Sequence, residues 1–295
     1  MQLATLIDGA ALAAALRRRA AEVAARLRSE IGAAPSLATV LVGEHPASQV
    51  YVRAKARACD GSGLSAFDIR LPGGISEARL LGEIEQLNRD DRLDGVLVQL
   101  PLPRHIDPHQ VLGAIDPAKD VDGFHPVNVG RLWSGLPTMV PSTPQGCIRL
   151  LRSVHADLAG LGAVVIGRSN IVGKPLAGLL LQVDCTVTVI HSKTRDAGEI
   201  CRGADIVIAA AGQPGMVKGN WIKPGATVID VGISPASNPE GRARLIGDVD
   251  FPSVSKVAGA ITPVPGGVGP MTIACLLANT LRAACRRRGI ADPAF

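Results

Sequence analysis

Aromatic residues are nearly missing from this sequence: one tyrosine, two tryptophans and four phenylalanines stand among 295 residues. Proteins that hold single-stranded nucleic acid stack its bases on aromatic rings, so a platform of that kind is all but excluded. Cysteine pairs at C-x-x-C spacing are also missing. The six cysteines (Cys59, Cys147, Cys185, Cys201, Cys275 and Cys285) have no histidine at metal-ligand spacing, so no metal site is expected. They read as buried thiols of a reducing cytoplasm. No apolar run is read as reaching the roughly 18–20 residues that a membrane span requires. A secretory leader is not expected, because Asp8 interrupts the N-terminal apolar stretch and Arg17–Arg19 follow that stretch instead of preceding it.

Apolar residues make up 47% of the chain, enough to core one large domain or two ordinary ones. The net charge of +5 is mostly arginine scattered along helices, with Arg286–Arg288 placed to close a C-terminal helix. With so few aromatics beside it, this charge points to small anionic ligands and away from nucleic acid.

Periodicity predicts an α/β protein of two lobes with a boundary near residue 140. In the first lobe, helices are expected over Ala10–Leu27, Ser48–Cys59 and Glu77–Leu87, and strands over Leu37–Val42, Leu64–Leu71 and Val96–Leu100. Asp107–Pro141, punctuated by proline and glycine, reads as a linker. Thr143 is expected to cap a helix with Pro144 in its first position. The alternation then restarts with strands at Ala163–Ile166, Thr186–Ile190, Asp205–Ala211 and Ala226–Val231, and helices at Leu176–Gln182 and Ala197–Arg202. A last helix, Met271–Arg288, stops at Gly289 and is expected to rejoin the first lobe. The domains are thus 1–140 with 271–295, and 141–270.

In the second lobe, Val164–Pro175 reads strand, glycine turn, helix, a construction that presents backbone N–H groups and a positive helix end to phosphate. It misses the G-x-G-x-x-G fingerprint because Ser169 stands where the middle glycine would be, and it misses the Walker spacing as well. An NAD site wants a carboxylate about 20 residues on, at the end of the next strand. His191-Ser192-Lys193-Thr194 stands there instead, which favours the 2′-phosphate of NADP, with Arg168 as a second donor. Solvated surface charge is the competing explanation of Lys193 and Arg168.

In the first lobe, Tyr51 and Lys55 are spaced i, i+4 and share a helix face, with Ser48 placed to cap the helix. Partial burial would lower the lysine pKa and suit it to proton transfer, although from this segment alone a surface lysine lying over an ordinary helix is the more common outcome. Gln99 ends a strand before Pro101-Leu102-Pro103. Asp120 and Asp122 offer either a carboxylate to a ligand or an ordinary turn before Gly123.

Taken together, five motifs resemble the bifunctional methylenetetrahydrofolate dehydrogenase/methenyltetrahydrofolate cyclohydrolase family. They are Ala47-Ser48-x-x-Tyr51-Val52-x-x-Lys55, Asp94 through Pro103, Lys119 through Phe124, Gly167 through Pro175, and Thr262 through Thr272. Their order is the family's, and they span about residues 5 to 285. The usual Pro-Cys-Thr-Pro appears here with Ser142 in place of cysteine. The resemblance implies a homodimer of two-lobed subunits with the active site in a cleft between lobes, folate on the first and NADP on the second. It implies that Lys55 is the central catalytic residue, assisted by Gln99, that Tyr51 packs on the pterin, and that Asp122 binds the pterin's polar edge. Pro265, Gly266 and Gly267 would touch folate, while Gly167, Arg168, Ser169, Ser192 and Ile233 would contact the cofactor. The implied reactions are oxidation of methylenetetrahydrofolate with NADP and hydrolysis of the methenyl product. An NADP-dependent dehydrogenase of a small hydroxy acid or alicyclic alcohol accounts for the second lobe but not for Tyr51, Gln99 and Asp122 together. A non-catalytic NADP-binding protein would have no use for Lys55.

Overall fold

The computed structural model describes residues 3–237 and 243–295. The chain divides into two compact units, one of Met1–Ala13 and Thr143–Thr272, the other of Ala14–Ser142 and Ile273–Phe295. Strand β1 (Thr5–Leu6) is followed by helix α1 (Gly9–Ile31), within which the unit boundary falls. Next come β2 (Ser36–Val42), α2 (Pro46–Asp60), β3 (Ser65–Leu71), α3 (Glu77–Arg89) and β4 (Gly95–Val98). The strands pair in parallel in the order β3-β2-β4. All of β2 is buried, and its period-two alternation divides the core. Ala38, Val40 and Val42 pack with Leu80 and Ile84 of α3, whereas Leu37 belongs with Val23 and Leu27 of α1.

Residues 107–141 are not a linker. They form α4 (Pro108–Ala114) and α5 (Pro126–Trp133), each opened by a first-turn proline that reads from sequence as a break. Asp107 and His125 are the caps, accepting from His109 N (2.8 Å) and Val127 N (3.1 Å). Between these helices the buried Lys119 donates to the carbonyls of Leu87, Asn88 and Asp90 at 2.7–3.1 Å and so caps α3 from outside. Other boundaries shift by smaller amounts. His45 stands at the N-cap position of α2 without a side-chain capping bond, leaving Ser48 buried inside the first turn. Strand β4 stops before Gln99, whose N–H still donates to Val40 O at 2.8 Å.

The unit that holds β1 resumes with α6 (Ser142–Arg152), which starts one residue before the expected cap. Thr143 therefore sits in the first turn, its hydroxyl 2.9 Å from that of Thr272. It continues with β5 (Gly162–Ile166), α7 (Gly173–Leu181), β6 (Thr186–Ile190), α8 (Ala197–Arg202) and β7 (Ile206–Ala209). Then come β8 (Thr227–Asp230), the hairpin strands β9 (Ser234–Ser237) and β10 (Ala243–Ile246), the short α9 (Phe251–Val254) and β11 (Ala260–Ile261). Six parallel strands pair in the order β1-β11-β8-β7-β5-β6. Residues 5–6, assigned to the first lobe by sequence, thus complete the sheet of the other unit.

The last helix, α10 (Val268–Arg287), starts earlier than expected. It ends as expected at Gly289 (φ +67°), whose N–H and that of Ile290 close back on Arg286 O and Cys285 O. It also corrects the expectation about apolar length. By length and composition it could cross a membrane, with a mean hydropathy of 1.3, but 72% of that window is buried within the protein. It is a core helix. Leu276, Leu277 and Leu281 pack into the α1 cluster, and Arg287 and Arg288 donate to the wholly buried Asp94 at 3.2 and 2.6 Å. Losing one member of such a buried pair usually costs about 3–5 kcal/mol, so the contact ties α10 firmly to the edge of β4.

Candidate active site

Helical geometry puts Tyr51 and Lys55 one turn apart on α2, and long-range packing then buries the lysine to 8% exposure. Its Nζ donates to Gln99 Oε1 at 3.0 Å. The Gln99 amide is held the right way round because its Nε2 donates to Leu100 O at 2.7 Å. Burial lowers the Lys55 pKa, opposed chiefly by the negative charge of Asp122. Burial likewise raises the Asp122 carboxyl to about 6, with the Lys55 ammonium pulling it back. The hydroxyl of the half-buried Tyr51 is raised by burial too.

Sequence left two roles open for the neighbouring aspartates, and their contacts differ. Asp120 is the turn former, accepting from His125 N and Asn128 Nδ2, both at 2.8 Å. Asp122 is the carboxylate that faces Lys55 electrostatically. Gly123 ends the loop against the chain at Met139–Pro141: at φ +70°, a Cβ there would lie 2.8 Å from Met139 O and Pro141 N.

In the other unit, β5 lies between β6 and β7, so the strand order reverses between β5 and β7. Ligands of open parallel sheets bind at the carboxyl ends beside such a reversal. Gly167 ends β5 with φ +119°, and a Cβ there would meet Ala210 O at 2.2 Å; one at Gly173 would meet Gly167 O at the same distance. This close, side-chain-free cradle at the start of α7 fits a dinucleotide phosphate. Ser169 refines the expected form of the turn. Its Oγ accepts from Val172 N (3.1 Å) and Gly173 N (3.3 Å), so those donors of the α7 start serve the turn and not a ligand. Arg168, Ser192 and Lys193 are exposed where a ligand phosphate could reach them. Thr194 is partly engaged in closing the turn, its Oγ1 accepting from His191 N at 2.9 Å.

Ile233 stands exposed just after β8. Pro265 is exposed, whereas Gly267 is buried against the start of α1, where a Cβ on Gly9 would lie 2.0 Å from Gly267 O. The predicted residues therefore fall into two sets. Tyr51, Lys55, Gln99 and Asp122 belong to one unit; Gly167, Arg168, Ser169, Ser192, Ile233 and Pro265–Gly267 belong to the other. Sequence reasoning gave no weight to the buried carboxyls Asp230 and Asp248 near the latter set. Their only local signal is an acidic residue close to glycine.

Family models agree with this division. The tetrahydrofolate dehydrogenase/cyclohydrolase catalytic domain matches residues 7–122, and the NAD(P)-binding domain of the same family matches residues 141–288. Bifunctional protein FolD 2 of Paracoccus denitrificans is 59% identical over 291 residues, spanning 99% of this chain and 96% of that relative. The crystal structure of the bifunctional FolD methylenetetrahydrofolate dehydrogenase/cyclohydrolase from Campylobacter jejuni superposes with a TM-score of 0.91 at 47% identity, covering 96% of this chain and 99% of that one. The methylenetetrahydrofolate dehydrogenase-cyclohydrolase of Trypanosoma brucei, solved with NADP cofactor and inhibitor, gives 0.93 at 43% identity, with 99% and 100% covered. One family accounts for both units, and the chain belongs to it: the tetrahydrofolate dehydrogenase/cyclohydrolases.

Proposed function

We propose that this chain oxidises 5,10-methylenetetrahydrofolate with NADP and hydrolyses the methenyl product to 10-formyltetrahydrofolate. The observation that carries the reading is the buried Lys55–Gln99 contact beside Asp122, in the unit that matches the family's catalytic domain. When bound, NADP supplies the hydride acceptor. Positioning then supplies much of the rate, because the folate nitrogens themselves stabilise the cation left behind. In this reading Tyr51 packs on the pterin, Asp122 accepts from its polar edge, and Pro265–Gly267 contact folate. Gly167, Arg168, Ser169, Ser192 and Ile233 hold the cofactor.

Hydrolysis needs a proton taken from water as it adds to the methenyl carbon. It also needs a proton delivered to the ring nitrogen as the C–N bond breaks. Lys55 can do both, since burial brings its neutral form within reach and Gln99 aims its Nζ. A hydroxy-acid dehydrogenase or a non-catalytic NADP binder leaves that pair without work.

The test is methylenetetrahydrofolate-dependent formation of NADPH, followed by absorbance, with kcat/KM compared for both cofactors. A charge-assisted contact to the 2′-phosphate should give NADP an advantage of roughly tenfold or more over NAD. A preference for NAD would refute that part, and absence of any turnover would refute the whole.

The proposed partners are tetrahydrofolate derivatives and a second copy of the chain, not nucleic acid or a membrane, and the proposed place is the cytoplasm, where six free, buried thiols are at home. Association of two copies is supported by β6, an edge strand whose Thr186, Thr188 and Val189 are exposed, beside the half-exposed Leu181. Light scattering coupled to size exclusion should return twice the chain mass; a monomer at micromolar concentration would remove the homodimer from this reading.

A further inference from the structure

Two buried carboxyls, Asp230 and Asp248, lie beneath the ends of β7 and β8 and take no part in the chemistry above. Their exposures are 3% and 0%. Asp248 Oδ2 accepts from two successive backbone N–H groups after β7, those of Ala211 (2.7 Å) and Gly212 (2.8 Å). Asp230 accepts from Gly232 N and Asp248 N through Oδ1, both at 2.9 Å, and from Val249 N through Oδ2 at 3.0 Å. One carboxyl therefore grips the turn after β7 and the other the segment after β8. The Asp248 N–H links the two.

The packing leaves no slack. A Cβ at Gly232 would lie 2.4 Å from Asp248 Oδ1, and one at Gly247 would lie 1.8 Å from Asp230 Oδ2. Asp248 Oδ1 itself is buried and has no hydrogen-bond partner among the described residues. Burial holds the Asp230 carboxyl at about 6 against the pull of its three N–H donors. A pair of buried acids is an expensive way to fill space, since apolar packing would do that at lower cost. What apolar side chains cannot do is fix three separate loop backbones by their N–H groups.

We infer that Asp248 is a positioning residue for the cofactor: its carboxyl sets the Ala211–Gly212 turn and, from beneath Gly232, the segment that carries Ile233. The inference rests on the reading that NADP binds at the carboxyl ends of these strands. It adds a residue that never touches the ligand yet decides where the backbone stands to meet it.

Calorimetric titration with NADP tests it on wild type, Asp248→Ala and Asp248→Asn, alongside methenyltetrahydrofolate hydrolysis without cofactor. Asp248→Ala strands two N–H groups and frees the turn, so its Kd should rise at least about tenfold while hydrolysis stays within about twofold. Asp248→Asn keeps a carbonyl oxygen for both donors and should bind within about threefold of wild type. If the alanine variant melts too low to titrate, Asp248→Leu fills the volume without an acceptor and takes its place, with the same expected outcome. Unchanged NADP affinity without the acceptor would overturn the inference. So would hydrolysis falling in step with binding, or equal losses in the asparagine and alanine variants. If wild type itself shows no saturable NADP binding, the cofactor reading falls first and the inference with it.

Discussion

Lys55→Met should lower the rate of methenyltetrahydrofolate hydrolysis by roughly a thousandfold while NADP affinity stays within about twofold of wild type. The side chains are close in length and volume, so the packing around α2 survives. What disappears is the amine that meets Gln99, 3.0 Å from its Oε1. Stability is set by two opposed changes: the buried Asp122 loses its countercharge, which costs stability, while a penalty carried by Lys55 itself disappears. A lysine whose folded pKa is lowered carries a folding penalty at neutral pH, because the charged form is disfavoured by burial. Removing it removes that penalty.

The same substitution has a spectroscopic consequence. Lys55 is the group holding the Asp122 pKa down, so in the variant that carboxyl should titrate above its value of about 6. Linkage sets the sign for stability. A carboxyl whose folded pKa exceeds its unfolded value favours folding fully only below the unfolded pKa. That contribution is lost as pH rises through the folded one. The pH window over which Asp122 stops favouring the fold should therefore extend further upward in Lys55→Met, its lower end unchanged. NMR titration of the carboxyl and melting curves against pH would check both statements, and hydrolysis at the wild-type rate would sink the assignment of Lys55.

Tyr51 and Lys55 were legible in sequence because an i, i+4 relation is local to one helix. The contact that Lys55 makes was not, since its partner Gln99 stands forty-four residues away. Asp120 and Asp122 show the same limit more sharply. They share one loop and one residue type, and only their partners tell them apart: His125 and Asn128 for Asp120, the Lys55 charge for Asp122. The segment 107–141 misled because a proline that starts a helix and a proline that breaks one look alike until the cap is seen. Two-residue strands are worse placed still. Thr5–Leu6 has no periodicity to display, and its pairing with Ala260–Ile261 is written in no local pattern. The α/β alternation itself was plain, because strands as buried as Ser36–Val42 and Gly162–Ile166 are dense in β-branched and apolar residues.

Gly167→Ala should raise the Kd for NADP by roughly a hundredfold or more and lower the melting temperature, while hydrolysis of methenyltetrahydrofolate without cofactor falls only severalfold. Two separate faults meet at this one atom. The backbone sits at φ +119°, a conformation that a side chain disfavours by about 1–3 kcal/mol. The added Cβ would also lie 2.2 Å from Ala210 O and 2.8 Å from its carbonyl carbon. Relief cannot come from a flexible side chain, because the obstacle is the backbone leaving the neighbouring strand β7. The ends of β5 and β7 must spread or the turn must rotate, and either change spoils the place where the phosphate cradle is proposed. A control separates this from the general effect of replacing glycine. Gly82 lies within α3 with nothing within 4 Å of its would-be Cβ. Gly82→Ala should therefore stabilise by about 0.5–1 kcal/mol and leave NADP affinity alone. Equal NADP affinities in Gly167→Ala and Gly82→Ala would mean that the glycine turn after β5 does not hold the cofactor at all.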